Sequence, residues 1–378
     1  MHVDLLPQGG RRLKLATLAL LSGLLLVGCG KSDPVQLGFL GSLSGRSSDL
    51  AEAARNGVQL AIEQRNAAGG LDGRKVELIV RDDAESPETA LKAAAELAST
   101  GVAAIVGPIT SSMTLAALPA AEAAGVVLMT PTATSMQLVG RDDHLFRINA
   151  ATRDYARAYA DFHYRVTGLR RLAIAMDVRN RAFTQSWLDE FQPAFAALGG
   201  QVATVVTFES AADVSFSNVV EQLMAASPDG LLFIAGTVDV VRLSQEAKRR
   251  AVDLPLIAVE WAASEKLYEL GGSAVEGLQV VESYDRNDPS DRYAAFVAAY
   301  RQRFQLEPGY TSVNAYDAAN VILDALARRQ RGQSLKEALL TLGPFEGLQQ
   351  PIQFDRHGDT SRKGYFMTLR DGRFVPAR

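Results

Sequence analysis

The sequence predicts an α/β protein of two doubly wound parallel-sheet lobes joined by a hinge, and three observations support this prediction. Short runs rich in β-branched residues alternate along the whole chain with amphipathic, alanine-rich stretches, which is typical of β-α-β units. The chain has 378 residues, more than one hydrophobic core usually serves. Glycines and prolines lie at the ends of these elements and form no flexible linker, so we expect several short crossovers between the lobes.

The elements of the first lobe follow from the order of these runs. Residues 35–40 predict a strand buried on both faces, and a helix follows from about Asp49. Gly69 and Gly70 end this helix, because glycine adopts the left-handed conformation of a helix C-cap without strain. The pattern continues with predicted strand 75–81, helix 87–100, strand 102–106, helix 112–124 and strand 126–129.

The second lobe is predicted from a similar series that follows residues 145–148. It comprises helix 152–166, strand 172–176, helix 183–198, strand 202–207, helix 216–226, strand 231–234, helix 238–250 and strand 256–259. Two sheets of ordinary width explain this number of strands better than one very wide sheet.

The N-terminus predicts export. Basic residues precede an apolar run at 15–27, which is too short to span a bilayer comfortably and is typical of a signal peptide over residues 1–28. The run ends in Leu26-Val27-Gly28-Cys29, which resembles the lipobox of bacterial lipoproteins. Cys29 is the only cysteine, so it has no disulfide partner within the chain. We expect Cys29 to be lipidated and residues 29–34 to tether a soluble body to a membrane; the alternative is a chance cysteine after a cleaved signal peptide.

Composition and motifs argue against nucleic-acid binding and catalysis. The net charge is −4 and becomes more negative once the basic leader is removed, which disfavours nucleic acid as a partner. The glycine-to-serine spacing of Gly41-Ser42-Leu43-Ser44-Gly45 does not match a nucleophile elbow. His144, His163 and His357 lie in separate elements without a metal-ligand spacing. We therefore expect no enzyme activity, no metal and no cofactor.

Uncharged polar residues follow two strands of the first lobe. Strand 102–106 leads to Ser111 and Ser112 at the start of a helix, where free backbone N–H groups and a positive dipole favour an anion. Strand 126–129 leads in the same way to Thr134. Ligands of open α/β sheets bind at the carboxyl ends of the strands, so these residues predict a carboxylate site. The alternative is that all three hydroxyl groups only cap helices.

Short motifs also recur through the chain in a characteristic order. They are Ser42-Leu43-Ser44-Gly45, Asn56-Gly57, Gly73-Arg74-Lys75, Arg81-Asp82-Asp83-Ala84, Gly107-Pro108, Thr130-Pro131-Thr132-Ala133-Thr134, Ala315-Tyr316-Asp317-Ala318 and Phe354-Asp355-Arg356-His357-Gly358-Asp359. In this order and spacing they resemble the leucine/isoleucine/valine-binding proteins of ABC importers, and the resemblance covers nearly all of the chain from Val35 to Val375.

The resemblance implies the type I periplasmic-binding fold with three crossovers. The first lobe would comprise residues 35–150 and 285–363, and the second lobe residues 151–284 and 364–378. It also implies an extracytoplasmic, lipid-anchored solute-binding protein that captures a branched-chain or related amino acid and delivers it to the permease subunits of an ABC importer.

Four residues match positions with ligand-binding roles in this family. Ser111 and Thr134 would bind the α-carboxylate of the ligand, the backbone carbonyl of Thr132 would accept from its α-ammonium, and Glu260 would neutralise that ammonium. A zwitterion removed from water needs both of its charges compensated, so this division between the lobes is physically coherent. An interlobe salt bridge without ligand contact is the alternative role for Glu260.

The residues expected around the ligand side chain depart from the family pattern. Leu50 and Thr237 stand where the resemblance leads one to expect aromatic walls, and Phe183 is the better of two matches to a tyrosine position. Tyr310 lies one residue from another family contact. The resemblance therefore predicts a retained clamp for the amino-acid backbone and a rebuilt side-chain pocket.

Two other functions share this fold. An intracellular amide-sensing regulator is disfavoured by the predicted signal peptide and Cys29. A periplasmic sensor or receptor for an amide or another small carboxylate, feeding a signalling partner, remains the alternative to transport.

Overall fold

The chain forms two open α/β sheets, as predicted; the computed structural model describes residues 1–2, 33–210 and 213–377. Residues 3–28 of the predicted signal peptide and Cys29 lie outside the described residues. The strands are β1 (Val35–Gly41), β2 (Val76–Asp82), β3 (Ala104–Val106), β4 (Val127–Thr130), β5 (Leu145–Arg147), β6 (Arg171–Asp177), β7 (Gln201–Phe208), β8 (Gly230–Ile234), β9 (Leu256–Ala258), β10 (Gln279–Glu282), β11 (Tyr365–Arg370) and β12 (Arg373–Pro376). The α-helices are α1 (Ser48–Ala67), α2 (Pro87–Ser99), α3 (Ser111–Ala124), α4 (Thr152–Arg165), α5 (Arg181–Ala197), α6 (Phe216–Ala225), α7 (Thr237–Arg249), α8 (Lys266–Gly271), α9 (Asp291–Phe304), α10 (Tyr310–Arg328) and α11 (Leu335–Thr341).

The first sheet has five parallel strands in the order β2-β1-β3-β4-β5. It is covered on both faces, as the continuous apolar strand β1 predicts. Leu37 and Phe39 pack in the core that contains α1 and α10, whereas Leu40 packs in the core that contains α2 and α3. This sheet forms the first lobe with these four helices and with α9 and α11, whose apolar residues belong to the same core as those of α10.

The second sheet has the order β12-β11-β10-β9-β8-β6-β7, in which β6 to β10 run parallel. Strands β11 and β12, which the sequence patterns did not reveal, are antiparallel and extend one edge of the sheet. Asp371 and Gly372 connect them with φ angles of 48° and 74°, which suit the tight turn of a two-residue hairpin. This sheet forms the second lobe with α4 and α5 on one face and α6 and α7 on the other.

The chain passes between the sheets three times: from β5 to α4, from β10 to α9, and just before β11. The third passage is held by the ion pair between Arg362 and Asp317 of α10, at 2.6 Å, with both side chains almost fully buried. Arg362 also donates to Asn314 Oδ1 at 3.0 Å. No helix in the described ranges is long and apolar enough to cross a membrane.

Close packing of α1 against α10 sets one wall of the space between the lobes. Gly57 of α1 lies so near α10 that a Cβ atom at this position would be 2.3 Å from the carbonyl oxygen of Ser312. A larger residue would therefore separate the two helices. Their N-terminal turns carry Leu50 and Tyr310, which both line the space between the lobes.

Candidate functional site

Two adjoining cavities lie between the lobes, where the carboxyl ends of strands from both sheets meet. The first, called the Glu260 cavity, is lined by Ile109, Thr110, Ser111, Thr132, Asn149, Asn180, Phe183, Glu260, Trp261 and Tyr310. The second, called the Asp177 cavity, is lined by Arg46, Ser47, Asp49, Leu50, Glu85, Thr110, Ser112, Met113, Asp177, Arg179, Asn180, Ser210, Gly236, Thr237, Val238, Asp239 and Trp261. Thr110, Asn180 and Trp261 line both, so the two cavities meet.

Glu260 is the central charged residue of the first cavity. It follows β9 as the first residue of a 3₁₀ turn (Glu260–Ala262), and only 6% of its surface is exposed. Its Oε2 accepts a hydrogen bond from Trp187 Nε1 at 3.3 Å, whereas its Oε1 has no hydrogen-bond partner among the described residues. Burial raises the pKa of Glu260 to about 7, because the low-dielectric surroundings disfavour the ionised form.

No ion pair joins Glu260 to a lysine, an arginine or a histidine within the described ranges. The interlobe salt bridge that the sequence left open for Glu260 is therefore not formed by these residues. A buried carboxylate with one free oxygen is costly unless a donor or a cation satisfies it. Glu260 is thus poised to bind a positively charged group that enters the cavity.

Aromatic side chains in the core of the second lobe fix the position of Glu260. Trp187 is fully buried on α5, stacks on Phe191 with ring centroids 5.0 Å apart, and meets Tyr159 edge-on at 5.1 Å. The Tyr159 hydroxyl donates to the carbonyl of Ala258, at the end of β9, with a distance of 2.7 Å. The turn that carries Glu260 is therefore anchored to the packed core of the second lobe.

On the first lobe, hydroxyl groups gather at the N-terminus of α3. The helix was predicted to begin at Ser112, but it begins at Ser111, because Thr110 is the N-cap and its side chain accepts from the N–H of Met113. Ser111 and Ser112 are therefore first-turn residues and not caps. The N–H of Ser112 donates to Asn180 Oδ1 at 3.2 Å, a contact between the lobes.

Ser111 lines the Glu260 cavity, and its hydroxyl oxygen accepts from the N–H groups of Thr134 and Ser135, both at 3.3 Å. Thr134 lies directly behind Ser111, is buried, and lines neither cavity. Its hydroxyl oxygen accepts from Thr152 Oγ1 at 2.9 Å. Contact between Thr134 and a ligand stays a prediction, whereas its role in orienting Ser111 is visible in the hydrogen bonds.

Three other predicted site residues line the Glu260 cavity. The hydroxyl of Thr132 donates to the carbonyl of Ile109 at 2.5 Å, which joins the two polar loops of the first lobe. Phe183 meets Trp261 edge-on with ring centroids 5.9 Å apart, and the Tyr310 hydroxyl donates to the carbonyl of Trp261 at 3.4 Å. The cavity thus combines aromatic lining residues with its polar groups.

The remaining predicted residues lie elsewhere in the cleft. Leu50, Ser112 and Thr237 line the Asp177 cavity and do not line the Glu260 cavity. The hydroxyl of Thr237 lies 3.0 Å from that of Ser264, so its hydrogen-bond partner belongs to the same lobe. The nine predicted ligand-binding residues are therefore spread over two cavities, with Thr134 behind the first.

Several residues of the cleft were missed in the sequence. Asp177 ends β6 and Arg179 lies two residues later, at the same carboxyl edge of the second sheet as Glu260, so the argument applied to the first lobe would have indicated them. Arg46 forms an ion pair with Asp239 at 3.1 Å, and Arg179 forms one with Glu85. Each pair joins the first lobe to the second.

No cluster of three or more histidine, cysteine, aspartate or glutamate side chains suited to a metal ion occurs in the part of the chain that the structure describes. What the cleft offers instead is a set of hydroxyl and amide groups on one lobe and a buried carboxylate on the other. This arrangement can bind a small molecule that carries both charges, and it contains no evident nucleophile paired with a base.

Comparison with known proteins identifies close structural relatives. A family model described as periplasmic binding protein matches residues 34–373. A leucine-, isoleucine-, valine-, threonine-, and alanine-binding protein of Pseudomonas aeruginosa is 26% identical over 341 residues, 87% of each chain. The leucine binding protein LivK of Thermotoga maritima is 26% identical, with a TM-score of 0.83 over 91% of this chain and 98% of its own. A solute binding protein of an R. palustris ABC transporter, in complex with benzoate, shares the fold at 20% identity, with a TM-score of 0.82 over 91% of this chain and 95% of its own.

The raised pKa of Glu260 predicts a measurable dependence of stability on pH. A carboxyl with a pKa of about 7 in the folded protein and 4.5 when unfolded stabilises the fold fully below pH 4.5, and this contribution is lost as the pH rises through 7. At about 1.4 kcal/mol for each pH unit of difference, the loss amounts to about 3 kcal/mol. Urea unfolding of the ligand-free protein at pH 5 and pH 8 should show this decrease in the free energy of unfolding in the parent but not in Glu260→Gln. An equal pH effect in both proteins would contradict the assigned pKa.

Proposed function

Because the chain belongs to the periplasmic binding protein family, we propose that it captures an amino acid between its two lobes and delivers it to the permease of an ABC importer. The resemblance to leucine/isoleucine/valine-binding proteins is confirmed by the matches, and the family consists of solute-binding proteins, not enzymes. The observation that carries the proposal for an amino acid is the unpaired, buried carboxylate of Glu260 opposite the hydroxyl groups of α3.

The α-carboxylate of the ligand would bind at the N-terminus of α3. Both acceptor sites of the Ser111 hydroxyl are used by backbone N–H groups, so its proton is available to donate to the ligand. The first-turn N–H groups of Ser112 and Met113 are engaged by Asn180 and Thr110, which leaves the N–H of Ser111 for the same carboxylate. The positive end of the helix dipole adds to this attraction.

The α-ammonium of the ligand would bind between the lobes. Its charge would compensate Glu260, and the backbone carbonyl of Thr132 would accept one of its hydrogen atoms. Because Ser111 belongs to the first lobe and Glu260 to the second, the ligand is fully compensated only when the lobes are closed. A ligand of this kind therefore stabilises the closed state relative to the open state.

We assign residues 35–150 and 285–363 to the first closing lobe, and residues 151–284 and 364–378 to the second. The three passages between the sheets lie at or near these boundaries, which supports the division. We further propose that residues 1–28 are a lipoprotein signal peptide and that Cys29 carries the lipid that anchors the protein at the extracytoplasmic face of a membrane. The family membership supports export, since its members are periplasmic binding proteins.

The relative effects of two substitutions test the proposed clamp. Glu260→Gln leaves the buried ammonium without a counter-charge and should weaken amino-acid binding by about 3–5 kcal/mol. Ser111→Ala removes one hydrogen bond to a charged group and should cost about 1.5–3 kcal/mol. Calorimetry with the amino acid that binds the parent best measures both effects. Glu221→Gln, the same change at an exposed position of the second lobe, is the control. Unchanged affinity in Glu260→Gln would refute the clamp.

Closure of the lobes should be visible in solution. Ligand at saturating concentration favours the closed state, so we expect the radius of gyration from small-angle X-ray scattering to fall on its addition. The Glu260→Gln protein, at the ligand concentration that saturates the parent, should keep the larger value. Superimposable scattering curves of the empty and saturated parent would rule out a closing hinge.

Lipidation can be tested independently of ligand binding. Cys29→Ser removes the only thiol of the chain, so we expect the precursor to escape lipoprotein signal peptidase and to incorporate no labelled palmitate in cells. Ser32→Ala, which keeps Cys29, should be labelled as the parent is. Normal labelling of Cys29→Ser would show that the lipid is attached elsewhere.

A further inference from the structure

The Asp177 cavity continues the cleft beyond the place proposed for the ligand backbone. It meets the Glu260 cavity at Thr110, Asn180 and Trp261. Leu50, Met113, Val238 and Trp261 give it apolar walls next to this junction, and its other lining residues are mostly polar or charged. A ligand whose amino-acid group is held by Ser111 and Glu260 would extend its side chain into this space.

The charges around this cavity are unequal. Four carboxylates line it, those of Asp49, Glu85, Asp177 and Asp239, against the two guanidinium groups of Arg46 and Arg179. Both guanidinium groups are already engaged, because Arg46 pairs with Asp239 and Arg179 pairs with Glu85. The cavity therefore carries an excess of negative charge that its own cations do not neutralise.

These pairs leave two carboxylates, Asp49 and Asp177, and Asp177 is the more deeply buried of the two. It is only 2% exposed, and its Oδ1 accepts from the N–H groups of Arg179 and Ser210 at 3.0 and 3.1 Å. Its Oδ2 accepts no hydrogen bond from the described residues, and no ion pair joins Asp177 to a cation within them. A buried carboxylate that lines a cavity with one unused oxygen requires a donor from outside the protein.

We propose that the Asp177 cavity binds the side chain of a basic amino acid, with its terminal ammonium or guanidinium group donating to Asp177. The apolar walls would pack on the methylene groups of such a side chain, and the positive terminus would compensate the negative excess. An apolar side chain of the same length would leave Asp177 unsatisfied. This inference rests on the proposed capture of an amino acid at Glu260 and names the class of that ligand.

Ligand ranking by the unaltered protein is the first test. Calorimetry should show lysine, ornithine or arginine binding at least roughly tenfold more tightly than norleucine, which has the length of lysine without its ammonium. If norleucine or leucine binds as tightly as the best basic ligand, the Asp177 inference is wrong and the proposed function stands. If no amino acid binds at all, both are wrong.

Asp177→Asn is the second test, because asparagine keeps the Oδ1 acceptor for the two backbone N–H groups and removes the charge. It should weaken binding of the basic ligand by roughly tenfold or more and change norleucine binding by less than about threefold. Asp161→Asn removes the same charge at an exposed position of α4 and should change neither affinity. Equal losses for both ligands in Asp177→Asn would indicate a structural role and overturn the inference.

Discussion

The charge balance of the cleft depends on the carboxylate of Glu260, which is buried and forms no ion pair with a described cation. Its surroundings favour the neutral form, so a closed and empty cleft holds this group in an unfavourable state whenever it is ionised. A bound ammonium reverses that balance, because an opposite charge within a few ångströms favours the ionised carboxylate. Under the proposed function, closure of the lobes and binding of the ligand ammonium are therefore coupled through the charge of Glu260.

The two ion pairs between the lobes are too weak to replace the ligand in this role. Each lobe contributes one arginine and one carboxylate to the two interlobe ion pairs, and the arginine side chains remain 29% and 30% exposed. Partly exposed pairs of this kind contribute little, usually below about 1 kcal/mol. They fix how the lobes meet, as does the hydrogen bond from the N–H of Ser112 to Asn180. Under the proposed function, a bound ligand adds to these contacts and shifts the equilibrium towards the closed state.

The sequence predicted the fold and indicated several residues that line the cleft, because both follow from local pattern. The alternation of strands and helices predicts the two sheets, and the polar residues after β3 and β4 predict the carboxylate site. It could not predict that Glu260 lacks a cation partner, since this depends on which side chains the closed lobes bring together. For the same reason the sequence could not show that Thr134 lies behind Ser111, and contact between Thr134 and a ligand stays a prediction. Asp177 was missed because its role is decided by partners that Arg46 and Arg179 find on the opposite lobe.

The proposed carboxylate site is also linked to the hinge. Thr134, which positions Ser111, accepts from both the N–H and the hydroxyl of Thr152, the first residue after the passage from β5 to α4. At the second passage, Glu282 at the end of β10 is buried against Arg286, with 2.6 Å between Oε1 and Nε. None of these residues lines the Asp177 cavity. The apolar residues Leu50 and Val238 of that cavity can therefore change to suit another side chain without altering the hinge or the proposed clamp, whereas Arg46 and Arg179 also join the two lobes.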